Sequence, residues 1–326
     1  MQRRVNGLHH ITAIAGPAQE NLDFYAGVLG MRLVKRSVNQ DDPGTYHLFY
    51  ADAEGRPGTD LTFFPWGHLA PPRLGHGMAV EVGLEVPFGS LPYWGTRLQK
   101  YGVRIDAEET RFGAQVLPLT DPHGLRLALT EGRASSTRPF TPWEGSTVPA
   151  DHQVRGLHSG RLWERHEAAT VGFITGVLGF ERLGTENGWT RYGFKDAWGA
   201  VDIREVPEPR GAWGVGSVHH LAWRVDDDAH QLAVRTQIEA AGTGATPVID
   251  RFWFRSVYFR EPGGVLFEIA TDGPGFATDE DPSHLGESLV LPPWLEATRA
   301  RIEGVLPPLR APGGDGGNGF TTKKRS

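Results

Sequence analysis

The segment Phe24-Tyr-Ala-Gly-Val-Leu-Gly-Met-Arg-Leu33 returns later in the chain as Phe173-Ile-Thr-Gly-Val-Leu-Gly-Phe-Glu-Arg-Leu183. Upstream, Gly7-Leu-His9 returns as Gly156-Leu-His158 at the same interval, 149 residues. Two matches in one register indicate an internal duplication. The repeat predicts two halves, residues 1–140 and 150–275, joined by a linker rich in Ser, Thr and Pro over residues 134–150.

Each half divides again into two units, and each unit has the pattern of a strand, a helix and three strands. In the first unit, the pattern predicts a strand over 8–15, an amphipathic helix over 19–29 that ends at Gly30, and strands over 31–38, 45–51 and 60–65. The other units are predicted at 78–131, 157–206 and 217–272, with helices near 91–101 and 229–241. The chain is therefore expected to be an α+β protein of four βαβββ modules in two tandem domains. An extension over 276–326 follows, with a last helix over 292–302 and a disordered tail from about residue 307.

Composition excludes several classes of protein. A chain of 326 residues suits two domains, and a net charge of -6 without a basic stripe disfavours nucleic acid as a partner. No apolar run approaches the ~20 residues of a membrane span, and the N-terminus lacks the apolar core of a secretory signal. We therefore expect a cytoplasmic protein that does not bind membranes. The absence of cysteine excludes disulfides and thiolate ligands, and edge strands in paired modules are compatible with a homo-oligomer.

Two His-His pairs and one glutamate carry the strongest chemical signal. They lie in Leu8-His9-His10-Ile-Thr12, in Val218-His219-His220-Leu221 and in Phe267-Glu268-Ile269, all within predicted strands. Two imidazoles and one carboxylate are the ligand set of non-haem Fe(II) centres that activate oxygen. The repeat places Ser159 opposite His10, Glu81 opposite His220 and Ala128 opposite Glu268. Because only the first and last units hold all the candidates, we expect one site per chain, built between those two units.

Five longer blocks carry a resemblance to a known family: Leu8-His-His-Ile-Thr12, Leu33-Val-Lys-Arg-Ser-Val-Asn-Gln-Asp-Asp-Pro-Gly-Thr-Tyr-His-Leu-Phe-Tyr50, Pro57-Gly-Thr-Asp-Leu-Thr-Phe-Phe-Pro65, Ser217-Val-His-His-Leu-Ala222 and Phe254-Arg-Ser-Val-Tyr-Phe-Arg-Glu-Pro-Gly-Gly-Val-Leu-Phe-Glu-Ile-Ala-Thr-Asp272. Over about residues 7–275 the chain resembles the ring-cleaving dioxygenases of the hydroquinone 1,2-dioxygenase type, in the vicinal oxygen chelate superfamily. The resemblance implies that O2 and a small aromatic diol are the substrates, and that both oxygen atoms end in a ring-opened acid. It also implies Fe(II), with Mn(II) as the alternative, held by His10, His220 and Glu268. Catalytic or supporting roles would fall on His9, Thr12, His219, Arg251 and Tyr258.

Three of these supporting residues are strand neighbours of a ligand. His9 and His219 each precede a ligand, so on a regular strand they would point to the opposite face. A strand bulge would have to turn them toward the ligands, and packing or surface exposure is the plainer interpretation. Thr12 is two residues from His10 and shares its face, which favours a place near the site, although a β-branched residue is ordinary in a strand.

The remaining candidates lie near the end of the fourth unit or are aromatic. Tyr258 could exchange a proton with a substrate hydroxyl, or it could simply pack in the core. Arg251 could stabilise negative charge on the substrate, or form a surface ion pair with Asp250 or Glu261. The segment from Asp250 to Phe254 departs from the family pattern through extra aromatic bulk, which would reshape a pocket. The tryptophans that we expect nearest to the pocket are Trp66, Trp213 and Trp253.

Three other functions compete with a hydroquinone-type dioxygenase. A catechol extradiol dioxygenase takes its ligands wholly from the second half, and Ser159 speaks against that arrangement. A glyoxalase-type isomerase usually needs four protein ligands, two of them carboxylates, with Zn(II) or Ni(II), and Ala128 speaks against it. A metal-free binding module is disfavoured by the intact His, His, Glu set. His158 is interpreted as a remnant of the repeat and not as a ligand.

Overall fold

The chain folds into two large β-sheets with helices packed against them, and the computed structural model describes residues 3–195 and 197–312. The first module contains β1 (Leu8–Ala15), α1 (Ala18–Leu22), which continues into a π-helical segment (Asp23–Val28), β2 (Arg32–Asn39), β3 (Asp42–Ala51) and β4 (Asp60–Pro65). The second contains β5 (Met78–Val86), α2 (Leu91–Lys100), β6 (Arg104–Ile105), β7 (Glu109–Arg111), β8 (Ala114–Thr120) and β9 (Arg126–Glu131).

The second half repeats this arrangement. After a 3₁₀ turn (Ala150–His152), the third module contains β10 (Gly156–Glu164), α3 (Glu167–Gly176), β11 (Glu181–Glu186), β12 (Trp189–Gly193) and β13 (Ala200–Glu205). The fourth contains β14 (Val218–Val225), α4 (Asp228–Ala240), β15 (Ile249–Asp250), β16 (Arg255–Arg260) and β17 (Leu266–Thr271). The predicted α+β architecture of four βαβββ modules is confirmed, although the second module has one short strand more than expected.

Each sheet combines one module from each half of the sequence. The first sheet has the order β15-β16-β17-β14-β1-β4-β3-β2, and the second β11-β12-β13-β10-β5-β9-β8-β6. The antiparallel pairs β1–β14 and β10–β5 therefore join the first module to the fourth and the third to the second. The halves 1–140 and 150–275 describe the repeat of the sequence, whereas the sheets cross that division.

All eight residues of β1 are buried, including three polar ones. Covered strands are usually almost continuously apolar, because a buried polar group destabilises the fold unless it has a partner. The polar side chains His9, His10 and Thr12 therefore mark the part of the first sheet where the chain departs from ordinary core packing.

The extension after residue 275 packs on the first sheet. It contains 3₁₀ turns (Phe276–Thr278 and Pro282–His284), α5 (Pro293–Glu296) and α6 (Arg299–Val305), so two short helices replace the single one expected over 292–302. The buried Lys35 ammonium on β2 donates to the carbonyl of Phe276 at 3.0 Å and forms ion pairs with Asp279 at 2.7 Å and with Glu280. This contact ties the extension to the sheet that carries the candidate ligands.

The start of the predicted disordered tail also contacts the body. The Tyr46 hydroxyl donates to the carbonyl of Pro307 at 2.9 Å, and the backbone N–H of Arg310 donates to Gln19 at 2.8 Å. The boundary expected at about residue 307 is therefore too early, and the rest of that prediction, residues 313–326, lies outside the described residues. None of the helices in the described part of the chain is long and apolar enough to cross a membrane.

Candidate metal centre

Two β-bulges bring both members of each His-His pair to the same place. In the ladder between β1 and β14, His10 pairs with Ala222 and Thr12 with His220, and the register shifts where it passes over His9 and over His219. An extra residue in one strand interrupts the alternation of side chains. His9 and His219 consequently contact the neighbouring histidines through their ring nitrogens instead of pointing away from them.

The three candidate ligands meet where β1, β14 and β17 lie side by side. The Nε2 atoms of His10 and His220 are 3.2 Å apart, and they lie 3.3 and 3.0 Å from Oε2 of Glu268. Ligand atoms about 2.1 Å from one metal ion and at right angles to one another would be about 3.0 Å apart. Oε2 of Glu268 is fully buried and has no hydrogen-bond partner, a costly arrangement unless a cation binds there. Both the spacing and the unpartnered oxygen fit a metal ion, and this is the one such group of His and acidic side chains in the described residues.

His9 determines which nitrogen of His10 is available. Nε2 of His9 lies 3.1 Å from the carbonyl oxygen of Thr271, which can only accept a hydrogen bond, so His9 carries its proton on Nε2. Burial, together with the neighbouring His10, lowers the pKa of His9 to about 3, and the ring is therefore neutral. Its bare Nδ1 accepts from Nδ1–H of His10 at 2.9 Å, which leaves a lone pair on Nε2 of His10 for a metal.

His219 has the same relation to His220. Their Nδ1 atoms are 2.7 Å apart, and burial lowers the pKa of both rings, that of His219 well below its usual value. For His220 to present a lone pair on Nε2, its Nδ1–H must donate to Nδ1 of His219, which then carries its own proton on Nε2. The His219 ring packs against Trp213, with ring centres 4.3 Å apart.

Glu268 is the anionic member of the group. Burial raises the pKa of this carboxyl, but positive charge or an N–H donor at His10 and His220 outweighs burial and holds the pKa well below its usual range. With lone pairs on both Nε2 atoms, a bound cation would have to supply that positive charge. Its second oxygen, Oε1, accepts a hydrogen bond from the Ser256 hydroxyl at 2.5 Å. Ser256 thus orients the carboxylate so that Oε2 faces the two histidines.

A cavity of about 420 Å³ opens above the two histidine ligands. Its wall combines six Phe, Tyr and Trp side chains with histidines and other polar residues. The lining residues are His10, Asn39, Gln40, Asp41, Asp42, His47, Phe49, Phe64, Trp66, His219, His220, Arg251, Trp253, Phe254, Tyr258 and Leu266. Trp66 and Trp253 lie in this wall as the sequence suggested, whereas Trp213 contributes by packing on His219.

The structure separates the five predicted supporting residues into two groups. His219, Arg251 and Tyr258 line the cavity, whereas His9 and Thr12 lie behind it in the sheet. Thr12 is fully buried, and its hydroxyl is 2.7 Å from that of Thr62.

Arg251 and Tyr258 lie next to each other in the cavity wall. The Arg251 guanidinium forms a two-pronged ion pair with Asp41, at 3.1 and 2.8 Å, so the expectation of Asp250 or Glu261 as its partner is wrong. The sequence could not show this pairing because Asp41 comes from the first module. The guanidinium is also 5.5 Å from the centre of the Tyr258 ring, and burial raises the pKa of Tyr258, which keeps the phenol protonated.

Sequence reasoning missed His47. This residue lies on β3, lines the cavity, and its Nε2 is 2.9 Å from the hydroxyl of Thr62. A signal was present, because His47 and Phe49 alternate on one face of a strand within a family-like block. A single histidine in a strand nevertheless has no partner in sequence that would mark it as functional.

The corresponding place in the second sheet is filled by ion pairs. Glu81, which corresponds to His220, pairs with Arg111, and it lies 3.6 Å from Arg161, which corresponds to Thr12. His158 lies at the equivalent bulge, and its Nδ1 is 3.0 Å from the Ser159 hydroxyl. Charged side chains thus satisfy one another where the first sheet holds its candidate ligands.

Comparison with known proteins gives the family context. Residues 7–129 and 158–269 match the model of the Glyoxalase/Bleomycin resistance protein/Dioxygenase superfamily. The chain is 44% identical to MhqO of Bacillus subtilis, provisionally named a ring-cleaving dioxygenase, over 94% of this chain and 98% of that protein. It is 33% identical to a chlorohydroquinone/hydroquinone 1,2-dioxygenase of Sphingobium indicum, over 93% of this chain and 96% of that protein.

Solved structures agree with this assignment. A Bacillus subtilis crystal structure, provisionally described as a dioxygenase, is 42% identical, covers 95% of this chain and 99% of its own, and superposes with a TM-score of 0.89. Glyoxalase I of Zea mays superposes with a TM-score of 0.62 at 12% identity over 82% of this chain and 92% of its own, a likeness of fold alone.

Proposed function

Because the chain belongs to the Glyoxalase/Bleomycin resistance protein/Dioxygenase superfamily, we propose that it is a ring-cleaving dioxygenase for hydroquinone-type diols. In this proposal His10, His220 and Glu268 would hold one Fe(II) ion, and both atoms of O2 would end in a ring-opened acid. The observation that carries the proposal is the cluster of three ligand atoms, mutually 3.0 to 3.3 Å apart, at the base of an aromatic cavity. The names of relatives at 33–44% identity support the reaction class.

The ligand set suits Fe(II), and Mn(II) accepts the same nitrogen and oxygen donors. Held by His10, His220 and Glu268, such an ion would have positions left for a diol oxygen and O2 and would let electrons pass between them. The residues of the chain then have to bind the ring, exclude water and move protons.

Three side chains in the cavity are suited to proton transfer and charge stabilisation. Tyr258, held protonated, can donate a hydrogen bond to the substrate oxygen nearest the ligands. Nε2–H of His219 is the donor that remains once Nδ1 has accepted from His220, and it can donate to oxygen in the cavity. Arg251, oriented by Asp41, can stabilise negative charge that develops on the ring oxygen.

The aromatic wall binds and orients the ring. Phe254 packs against His10 with ring centres 5.2 Å apart, and Phe49 packs against Trp253 at 6.2 Å. Flat apolar surfaces of this kind favour an aromatic substrate over a sugar or a peptide. They also exclude water, which strengthens the hydrogen bonds and charge interactions that Tyr258, His219 and Arg251 can make.

The test combines metal content with oxygen uptake on protein purified without air. We expect one iron per chain and O2 uptake that depends on a hydroquinone, both lost in His220→Ala and retained in the control His158→Ala, which removes a half-buried histidine of the other sheet. Iron-loaded wild type that takes up no O2 with hydroquinones or catechols would refute the proposal. Uptake with catechols alone would assign the chain to ortho-diols.

A further inference from the structure

His47 lies to one side of the candidate ligands, and the function proposed above gives it no role. It is on β3, which is separated from β1 by β4, so its backbone is roughly 10 Å from that of β1. Tyr258 is on β16, beyond β17 on the opposite side of the ligands. Along the sheet, the ligands therefore lie between Tyr258 on one side and His47 on the other.

The His47 ring is held in one orientation. It lies between Phe49 and Phe64, whose ring centres are 3.8 and 4.5 Å from its own. Its Nε2 is 2.9 Å from Oγ1 of Thr62, which in turn is 2.7 Å from Oγ1 of Thr12. These three contacts of the ring, with Thr62 held in turn by Thr12, position His47 before any substrate is bound.

Hydrogen-bond satisfaction decides which nitrogen of His47 carries the proton. Burial lowers the pKa of His47 well below its usual value, so the ring is neutral and has one N–H. Thr12 and Thr62 are fully buried, and Thr12 has no hydroxyl partner in the described residues other than Thr62. If Thr12 donates to Thr62, then Thr62 donates to Nε2 of His47 and every hydroxyl hydrogen is used. The reverse order would leave the Thr12 hydrogen buried and unbonded, which is destabilising.

Nδ1 of His47 is consequently a neutral N–H donor. Within the described residues it has no hydrogen-bond partner. It is also not among the fully buried side-chain nitrogen and oxygen atoms that lack a partner. Because His47 lines the cavity, this N–H is available to a ligand there. The N–H lies in the plane of the His47 ring, and the phenylalanines on either side, Phe49 and Phe64, have no lone pair to offer it. Its partner must therefore be an acceptor oxygen of a ligand.

We propose that His47 binds the substrate by donating its Nδ1–H to the hydroxyl oxygen that lies away from the metal. In this way His47 selects 1,4-diols. This inference rests on the proposed function and specifies its substrate class. In an ortho-diol the two oxygens are on adjacent ring carbons, so both lie beside the metal ligands. In a 1,4-diol the second oxygen projects from the far end of the ring, where a donor at the flank of the cavity can reach it.

The test is a binding titration without oxygen on metal-loaded protein, by calorimetry, with three ligands of similar size. Hydroquinone has the distal hydroxyl, 4-methoxyphenol keeps only its acceptor oxygen, and 4-methylphenol has neither. We expect wild type to bind hydroquinone and 4-methoxyphenol about tenfold more tightly than 4-methylphenol, the ratio given by a hydrogen bond of about 1.4 kcal/mol. In His47→Phe, which keeps an aromatic ring in the stack, all three affinities should converge on that of 4-methylphenol. His158→Phe should retain the wild-type ratio.

Several outcomes would overturn the proposal. Equal affinities in wild type, or an unchanged ratio in His47→Phe with normal metal content, would show that His47 does not contact the distal oxygen. Weak binding of 4-methoxyphenol beside tight binding of hydroquinone would show that His47 accepts instead of donating. The proposed function is tested separately by O2 uptake. An affinity ratio that depends on His47, without O2 uptake, would refute the dioxygenase function alone. O2 uptake without that affinity ratio would refute the role of His47 alone.

Discussion

Replacing His9 with phenylalanine is expected to weaken metal binding about 10- to 100-fold, although His9 is neither a candidate ligand nor part of the cavity wall. In wild type, Nδ1–H of His10 donates to Nδ1 of His9, and Nε2–H of His9 donates to the carbonyl of Thr271. This chain keeps the hydrogen of His10 away from Nε2, the atom that faces His220 and Glu268.

The magnitude follows from what His10 does when that acceptor is lost. With phenylalanine at position 9, a buried Nδ1–H on His10 has no partner, which costs about 1–3 kcal/mol. His10 avoids the cost by moving its hydrogen to Nε2, only 3.3 Å from Oε2 of Glu268. The metal must reverse that tautomer before it binds, and a penalty of roughly 1.4–2.7 kcal/mol corresponds to the 10- to 100-fold loss.

The assay is a competition titration of Fe(II) or Mn(II) against a chelator under nitrogen, with thermal unfolding measured in parallel. His158→Phe is the matched control, because His158 lies at the equivalent bulge of the other sheet and contacts Ser159 instead of a ligand. An affinity for His9→Phe within threefold of wild type would refute the tautomer argument. Equal losses in both variants would attribute the effect to general destabilisation of the sheets.

Three further changes test the energetics of the fold and the centre. Ser256→Ala removes the donor to Glu268, so the pKa of that carboxyl should rise and metal binding should weaken about tenfold. The pH below which the protein loses its metal should then be higher than in wild type. An unchanged profile of metal occupancy against pH would contradict this. Burial, and then the neighbouring Glu261, raise the pKa of Glu164 to about 9, above its value in the unfolded chain. The free energy of unfolding of wild type should therefore fall by up to about 1.4 kcal/mol per pH unit as pH rises toward 9. Urea unfolding of Glu164→Gln should not show that decline. Lys35→Met leaves the Asp279 and Glu280 carboxylates without their buried cation and should cost about 3–5 kcal/mol of unfolding free energy in the same assay, whereas a loss below about 1 kcal/mol would show that the extension is held by other contacts.

The candidate ligands could be predicted from the sequence because the capacity to bind a metal depends on residue type. Two histidine pairs and a glutamate stand at comparable places in repeated strands, and the repeat itself singles out the first and last modules. The structure brings His10, His220 and Glu268 within hydrogen-bond distance of one another. That these atoms hold a metal ion remains a proposal.

The direction of His9 and His219 was not accessible in the same way. Strand periodicity points each of them away from its neighbour, and only the register of β1 against β14 shows the bulges that turn them back. A bulge is a property of two paired strands, and these strands are more than 200 residues apart. The ion pair of Arg251 with Asp41 eluded prediction for the same reason, since it joins the fourth module to the first.

The sequence by itself determined the four modules, their βαβββ pattern and the candidate ligands, because periodicity and ligand chemistry are local properties of residues. Only the tertiary structure decided the bulged register in which β1 pairs with β14, which hydrogens the histidines carry, and that His47 reaches the cavity. Each of these depends on strand pairing and on buried hydrogen-bond partners from distant segments. A buried polar group must satisfy its donors and acceptors wherever the fold places it, and no single stretch of chain contains that information.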